Sequence, residues 1–271
     1  HIPPFICTLA GMFLFRGIAR VILDSKTVAI MDKRFLSLFT SYIQIPGLDV
    51  NQRVISSMAV GILVTVAITA YTFISERNKI KKGYESASIK ATAIRVAIFD
   101  LVILFYAYKL MSYKGIPIML IWILVVVAIF AFITSKTVFG RYFYAVGGNE
   151  KATRLSGIDP RKVYFRAYFL MSLLAGLSGL LVGARIGSVD GNMGSSYEMD
   201  AIASCFIGGA SAYGGSGTVQ GIMIGAILLG VINQGMSILG LPDQFQYIVK
   251  GAVLLGAVVF DVVSNHKTGK S

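Results

Sequence analysis

From residue 201 to residue 242 the chain carries no charged side chain. A helix that crosses a bilayer needs roughly 20 apolar residues, so this one run is long enough for two passes. Further uncharged windows lie at 54–75, between Arg53 and Glu76, at 115–135, between Lys114 and Lys136, and at 167–184, between Arg166 and Arg185. Segments 2–23, 96–113 and 244–262 are apolar too, interrupted by Arg16, Arg20, Asp100, Lys109 and Lys250. Hydrophobic residues make up 55% of the chain and charged residues 14%, where a soluble domain carries about 25%. So few charges cannot solvate a surface around this much apolar matter. Soluble, disordered and collagen-like chains are excluded, and an all-α polytopic membrane protein, a helical bundle, is expected.

The net charge of +12 would point to nucleic acid on a soluble protein. Here the bases sit between the apolar runs, so they are read as a topology signal and no nucleic-acid partner is expected. Loop 76–95 holds six Lys and Arg against two acids, and loop 136–166 seven against two. The tail adds Lys267 and Lys270. These three segments are expected in the cytoplasm. Segments 24–53 and 185–200 together hold five bases and six acids and are expected outside. Threading the apolar runs between these sides requires eight passes, two of them within 201–242 with a break near 208–217. A re-entrant half-helix at 201–207 remains the alternative.

Cys7 and Cys205 lie in apolar stretches and are expected to be buried thiols. The histidines, His1 and His266, stand at opposite ends, so no His-based metal site or catalytic triad is expected. No catalytic residue is identified.

Loop 140–163, GRYFYAVGGNEKATRLSGIDPRKV, carries strong local signals. Asn149 suits a helix N-cap, and Glu150 complements the positive end of the helix dipole. Gly157 suits a left-handed stop, and Asp159-Pro160 suits a new helix with proline at its first position. A capped helix of about two turns between two spans follows. It is either a plain connector or a docking helix for a cytoplasmic partner.

The run CFIGGASAYGGSGTVQGIMIGAILLG, residues 205–230, places Gly217, Gly221 and Gly225 on one helix face. Gly179, Gly183 and Gly187 form a similar stripe. Close helix packing accounts for both. Two phosphate-site mimics fail. Gly215-Ser216-Gly217 with Gly221 is one residue off the dinucleotide fingerprint and follows no strand, and Gly269-Lys270-Ser271 lacks the first glycine of a P-loop. Asp100, Asn233, Gln234 and Lys250 are polar at membrane depth, where such groups face a bundle interior or a water-filled path. Asp190, Glu198 and Asp200 are expected outside or at the outer boundary, solvated or in contact with an external partner.

Four stretches in this order carry a family resemblance: PPFICTLAGMFLFRG, GRYFYAVGGNEKATRLSGI, YEMDAIASCFIGGASAYGGSGTVQGIMIGAILLGVINQGMSILG and QYIVKGAVLLGAVVFDV. They resemble the membrane permease of bacterial ABC sugar importers of the ribose, xylose and galactose branch. The wording CFIGGAS and the extra pair of spans flanking loop 76–95 point to the xylose or multiple-monosaccharide subgroup. The resemblance implies one transmembrane permease domain over 1–271, with a cytoplasmic coupling loop at 136–162. Within that loop Gly147, Gly148, Asn149, Glu150, Ala152, Arg154, Leu155, Ser156, Gly157 and Ile158 match the segment that docks on the ATPase subunit. Gly208, Gly209, Ser211, Gly214, Gly215, Gly217, Asn233 and Gln234 are implied to lie at a translocation path or helix interface. The family carries further helices before the position of Ile2, so an N-terminal truncation is expected.

The implied protein is a transport subunit and not an enzyme. It sits as a multi-pass protein in the bacterial cytoplasmic membrane. Its implied partners are an ATP-binding subunit, a second permease copy, an extracytoplasmic sugar-binding protein and the lipid bilayer. ATP and magnesium belong to the ATPase, and this chain is expected to hold no cofactor and no metal. Two other classes fit the sequence less well. A channel would need no docking helix, and an intramembrane enzyme would need a His, Asp or Ser constellation at depth that the sequence does not contain.

Overall fold

The computed structural model describes residues 4–42, then 61–63, 65, 66, 69, 70 and 72–74, then 89–111 and 115–267. Most of the expected span 54–75, residues 76–88 of the first basic loop, and the mimic at Gly269-Lys270-Ser271 lie outside these. The described residues are mainly helical. The helices are α1 (Pro4–Ile22), α2 (Lys33–Thr40), α3 (Ile89–Met111), α4 (Ile118–Lys136), α5 (Val138–Gly148), α6 (Glu150–Leu155), α7 (Pro160–Ile186), α8 (Tyr197–Ile207), α9 (Val219–Ile238) and α10 (Asp243–Lys267). Four stretches among the described residues are long and apolar enough to cross a membrane: α4, α7, α9 and the part of α10 from Asp243 to Val263. Helix α4 has no buried residue in the chain, as expected of a helix whose apolar surface faces lipid or another subunit rather than a core of its own.

The chain divides into two compact units, one of residues 1–32 and 123–271 and one of residues 33–122. In the smaller unit an aromatic cluster holds α2. Phe39 is buried, with its ring 5.2 Å from that of Phe35 and 5.7 Å from that of Trp122. Trp122 Nε1 donates to the Leu38 carbonyl at 3.2 Å. Asp100, one of the polar groups expected at depth, accepts a hydrogen bond from Thr69 Oγ1 at 2.7 Å.

In the larger unit β1 (Val28–Ala29) pairs antiparallel with β2 (Ser188–Val189), in the register Val28 opposite Val189. The Arg20 guanidinium donates to Asn192 Oδ1 in the same region. This short ladder ties the segment after α1 to the segment after α7, so both lie on one side of the bilayer. Charge alone assigns these two charge-balanced segments to a common side.

Run 201–242 departs from expectation. Two full passes are predicted there, but the structure holds one 20-residue helix, α9, preceded by the 11-residue α8. At 1.5 Å per residue α8 is about 16 Å long, roughly half of a 30 Å hydrocarbon core. The helix begins at Tyr197, upstream of the uncharged run, and ends where Gly208-Gly209 supplies a stop. Gly209 has φ +84, and the Ala210 and Gly209 amides donate to the Cys205 and Phe206 carbonyls at 2.9 and 3.0 Å. These are the two bonds of a Schellman termination. The first part of the run thus holds a helix too short for a full pass by itself. Helix α8 then packs against both α9 and α10.

A second correction concerns Cys7, which is exposed on α1 rather than buried, while Cys205 is half-buried. The apolar face of α1 has little against it in the chain: Phe13, Leu14, Phe15, Val21 and Ile22 are all exposed.

Candidate functional site: a capped loop joined to a glycine hairpin

The segment from 137 to 161 is a chain of satisfied helix ends. Thr137 caps α5, its side chain accepting from the Gly140 amide at 3.1 Å. Asn149 ends α5 and starts α6. Its backbone is extended, and its Oδ1 accepts from the Ala152 amide at 2.9 Å. At the far end Gly157 takes φ +84. The Gly157 and Ile158 amides donate to the Arg154 and Thr153 carbonyls at 3.0 and 3.3 Å, again a Schellman termination. Asp159 then caps α7 by accepting from the Arg161 amide at 3.0 Å, with Pro160 at the first position. The roles of Asn149 as N-cap, Gly157, Asp159 and Pro160 are those expected from residue type, and the Thr137 cap is added by the structure.

Thr153 carried no sequence signal, yet it anchors α6. It is buried, and its hydroxyl lies 2.8 Å from the Ala145 carbonyl and 2.7 Å from that of Asn149. Tyr164 on α7 donates its hydroxyl to Glu150 Oε2 at 3.0 Å and ties α6 to α7. With one face so fixed, α6 displays the other. Leu155 is 90% exposed, and Ala152, Arg154, Ser156 and Gly157 are exposed with it. Glu150, Arg154, Ile158, Asp159 and Arg161 border a polar cleft of about 410 Å³ beside it. A short rigid helix with an apolar tip and a polar cleft is a docking shape.

The second set of predicted residues abuts the first. A Cβ placed on Gly147 would lie 2.9 Å from the Gly215 amide nitrogen, and one on Gly215 would lie 2.8 Å from the Gly148 Cα. Gly214 and Gly215 have φ +86 and +73, a conformation few side chains tolerate. The backbones of α5 and of loop 208–218 therefore touch without intervening side chains. Tyr144 on α5 completes the joint, its hydroxyl donating to the Gly217 carbonyl at 2.9 Å. The other side of the loop is held by Asp261 on α10, whose Oδ2 accepts from the Ala212 amide at 3.2 Å and from Ser211 Oγ at 3.4 Å. Neither Tyr144 nor Asp261 carries a signal in the sequence. Their partners lie 73 and 49 residues away, beyond the reach of local pattern.

Gly208, Gly221 and Gly225 form the packing seam of the α8–α9 hairpin. A Cβ on Gly221 or Gly225 would meet the Gly208 or Ser204 carbonyl oxygen. Asn233 faces the same hairpin, its Nδ2 donating to Asp200 Oδ2 at 3.2 Å. Gln234 is exposed on α9 and is not brought into this group. Asp200, expected at the solvated outer boundary, instead pairs with Lys250 of α10 at 2.9 Å. Burial at a three-helix contact explains the difference: an acid there needs a counter-charge.

Comparison with known proteins gives a consistent result. Residues 36–258 match the permease family described as branched-chain amino acid transport system / permease component. The chain is 34% identical to the xylose transport system permease protein XylH of Haemophilus influenzae over 266 residues, 98% of this chain and 68% of that protein. It is 32% identical to XylH of Escherichia coli K12 over 267 residues, 98% and 66% of the two chains. It is 45% identical to the ribose import permease protein RbsC of E. coli K12 over 142 residues, 52% and 44% of the two chains. The chain thus spans about two thirds of the length of the xylose permeases it matches. No solved structure matches it. With these matches and its apolar helices, the chain is a membrane protein and belongs to the permease family that includes the xylose and ribose permeases of bacterial ABC sugar importers.

Proposed function

We propose that this chain is the transmembrane permease of a binding-protein-dependent ABC importer that carries a monosaccharide of the xylose, ribose and galactose class across the bacterial cytoplasmic membrane. One observation carries the reading: the capped helix α6, fixed on one face and displaying Leu155 and the polar cleft on the other, is joined backbone to backbone to the α8–α9 hairpin. Residues 147–158 are the coupling segment. A cytoplasmic subunit docks on them, and its ATP and magnesium remain on that subunit. Displacement of α6 passes through α5 and the Gly147–Gly215 contact into the hairpin. The permease itself makes no covalent bond. It has inward- and outward-open states whose populations the ATPase shifts.

Residues 1–271 act as one permease domain, paired with a second copy around the path, and an external binding protein delivers the sugar. Eight crossings are retained in this reading. Helix α8 and loop 208–218 together make the sixth, so that the basic loops and the C-terminal tail share the cytoplasmic side.

The test uses the permease assembled with its ATPase and binding protein in proteoliposomes. Gly157→Pro removes the amide that donates to Arg154 and forces φ away from +84. Glu150→Arg removes the acceptor of Tyr164 and reverses the charge at the N-terminus of α6. Both variants are expected to insert normally and lose sugar uptake at least tenfold while the ATPase turns over without it. Normal uptake by either variant sinks the coupling assignment.

A further inference from the structure

The Asp200–Lys250 pair has a role that helix packing does not exhaust. Its two side chains are only about a quarter exposed, and they come from α8 and α10, with Asn233 of α9 as third partner. The hydrogen-bonding inventory is incomplete. An ammonium has three N–H donors, and Lys250 uses one, on Asp200 Oδ2. That same oxygen accepts from Asn233, while Asp200 Oδ1 accepts nothing among the described residues. Asn233 Oδ1 is buried with no partner. Buried polar atoms are rarely left so. Donors and acceptors of opposite character therefore stand open at one place, with no net charge.

Beside them lies a cavity of about 220 Å³, lined by Asp200 and Lys250 and walled by Met199, Leu229, Tyr247 and Leu254. It far exceeds the roughly 30 Å³ share of one water. It falls below the roughly 300–1,000 Å³ typical of sites for drug-sized ligands. A small neutral molecule fits such a place if it carries adjacent hydroxyls, each able to donate to a carboxylate and accept from an ammonium. The apolar walls and the Tyr247 ring suit the C–H face of a sugar ring. A charged ligand would leave one member of the pair unbalanced.

We propose that this cavity is a station for the transported monosaccharide within the permease, with Asp200 and Lys250 as its polar contacts and Asn233 holding Asp200 in place. The proposal rests on the importer reading above. Resident water alone or helix glue alone makes a different prediction. If the pair only holds helices together, apolar residues of similar size replace it without loss, because buried ion pairs are often matched by apolar packing.

Two variants decide it, both in proteoliposomes with the ATPase and binding protein, using labelled D-xylose, D-ribose, D-galactose and D-glucose as probes. Asp200→Leu with Lys250→Met removes the polar contacts. Gly251→Leu leaves the pair intact and fills the cavity it lines, and its Cβ meets nothing within 4 Å, so the helix accepts it. Each is expected to lower uptake at least tenfold while ATPase stimulation by the loaded binding protein stays within twofold of wild type. Should the double variant fail to assemble, Gly251→Leu decides alone. Wild-type uptake and sugar preference in Gly251→Leu overturn the station. A wild-type permease that moves none of the four sugars overturns the importer reading and this proposal with it.

Discussion

Two glycine stripes with the same spacing meet different fates. Gly217, Gly221 and Gly225 recur every four residues, and so do Gly179, Gly183 and Gly187. The first stripe is a contact surface only from Gly221 on, because Gly217, expected on the same helix face, lies in the loop before α9: the backbone at the end of α8 lies so near Gly221 and Gly225 that a methyl group has no room. The second is mostly open. A Cβ on Gly179 or Gly187 meets nothing within 4 Å, and one on Gly183 reaches only Val189 and Ile30 at ordinary distance. Small residues at helical spacing permit close approach, but they do not supply the helix that approaches. Helix α8 reaches α9 because a tight glycine-rich turn folds it back, whereas α7 leads into a loop and a two-residue ladder.

The contrast is open to direct attack by mutation, read as thermal stability in detergent. Gly225→Val drives a branched side chain into the Ser204 carbonyl and is expected to cost about 3 kcal/mol, separating α8 from α9. Gly214→Ala comes next. It forces a left-handed alanine at φ +86 against the Gly147 carbonyl, at about 2 kcal/mol, and lowers uptake because the α5 joint opens. Gly179→Ala has the opposite sign, a gain of about 0.5–1 kcal/mol from removing a mid-helix glycine. Gly183→Ala is the smallest, within about 0.5 kcal/mol, since its methyl only touches the Val189 side chain at 3.4 Å. A Gly179→Ala variant as damaged as Gly225→Val would show that the two stripes are equivalent after all, with the second covered by another subunit.

The capped segment 147–160 was legible because its determinants are local. Asn149, Gly157, Asp159 and Pro160 each act on backbone groups within four residues, so residue type and spacing suffice. Glu150 and Leu155 gained their surroundings from the same local frame. The Asp200–Lys250 pair was not legible. The two residues are 50 positions apart, and an acid just before an uncharged run looks like a solvated boundary until a third helix brings a base against it. Thr153 escaped notice for a related reason: a threonine within a polar helix has no signal until its hydroxyl is found beneath Ala145.

Apolar length and charge asymmetry by themselves determined that this chain enters a bilayer, and capping chemistry determined where α6 starts and stops. Those are properties of a segment and its solvent. Tertiary structure decided that α8 is only 11 residues long, that one glycine stripe packs and the other does not, and that the loop 208–218 rests on α5. Each depends on a partner supplied from far along the chain, and a run of uncharged residues states its length but not what it meets.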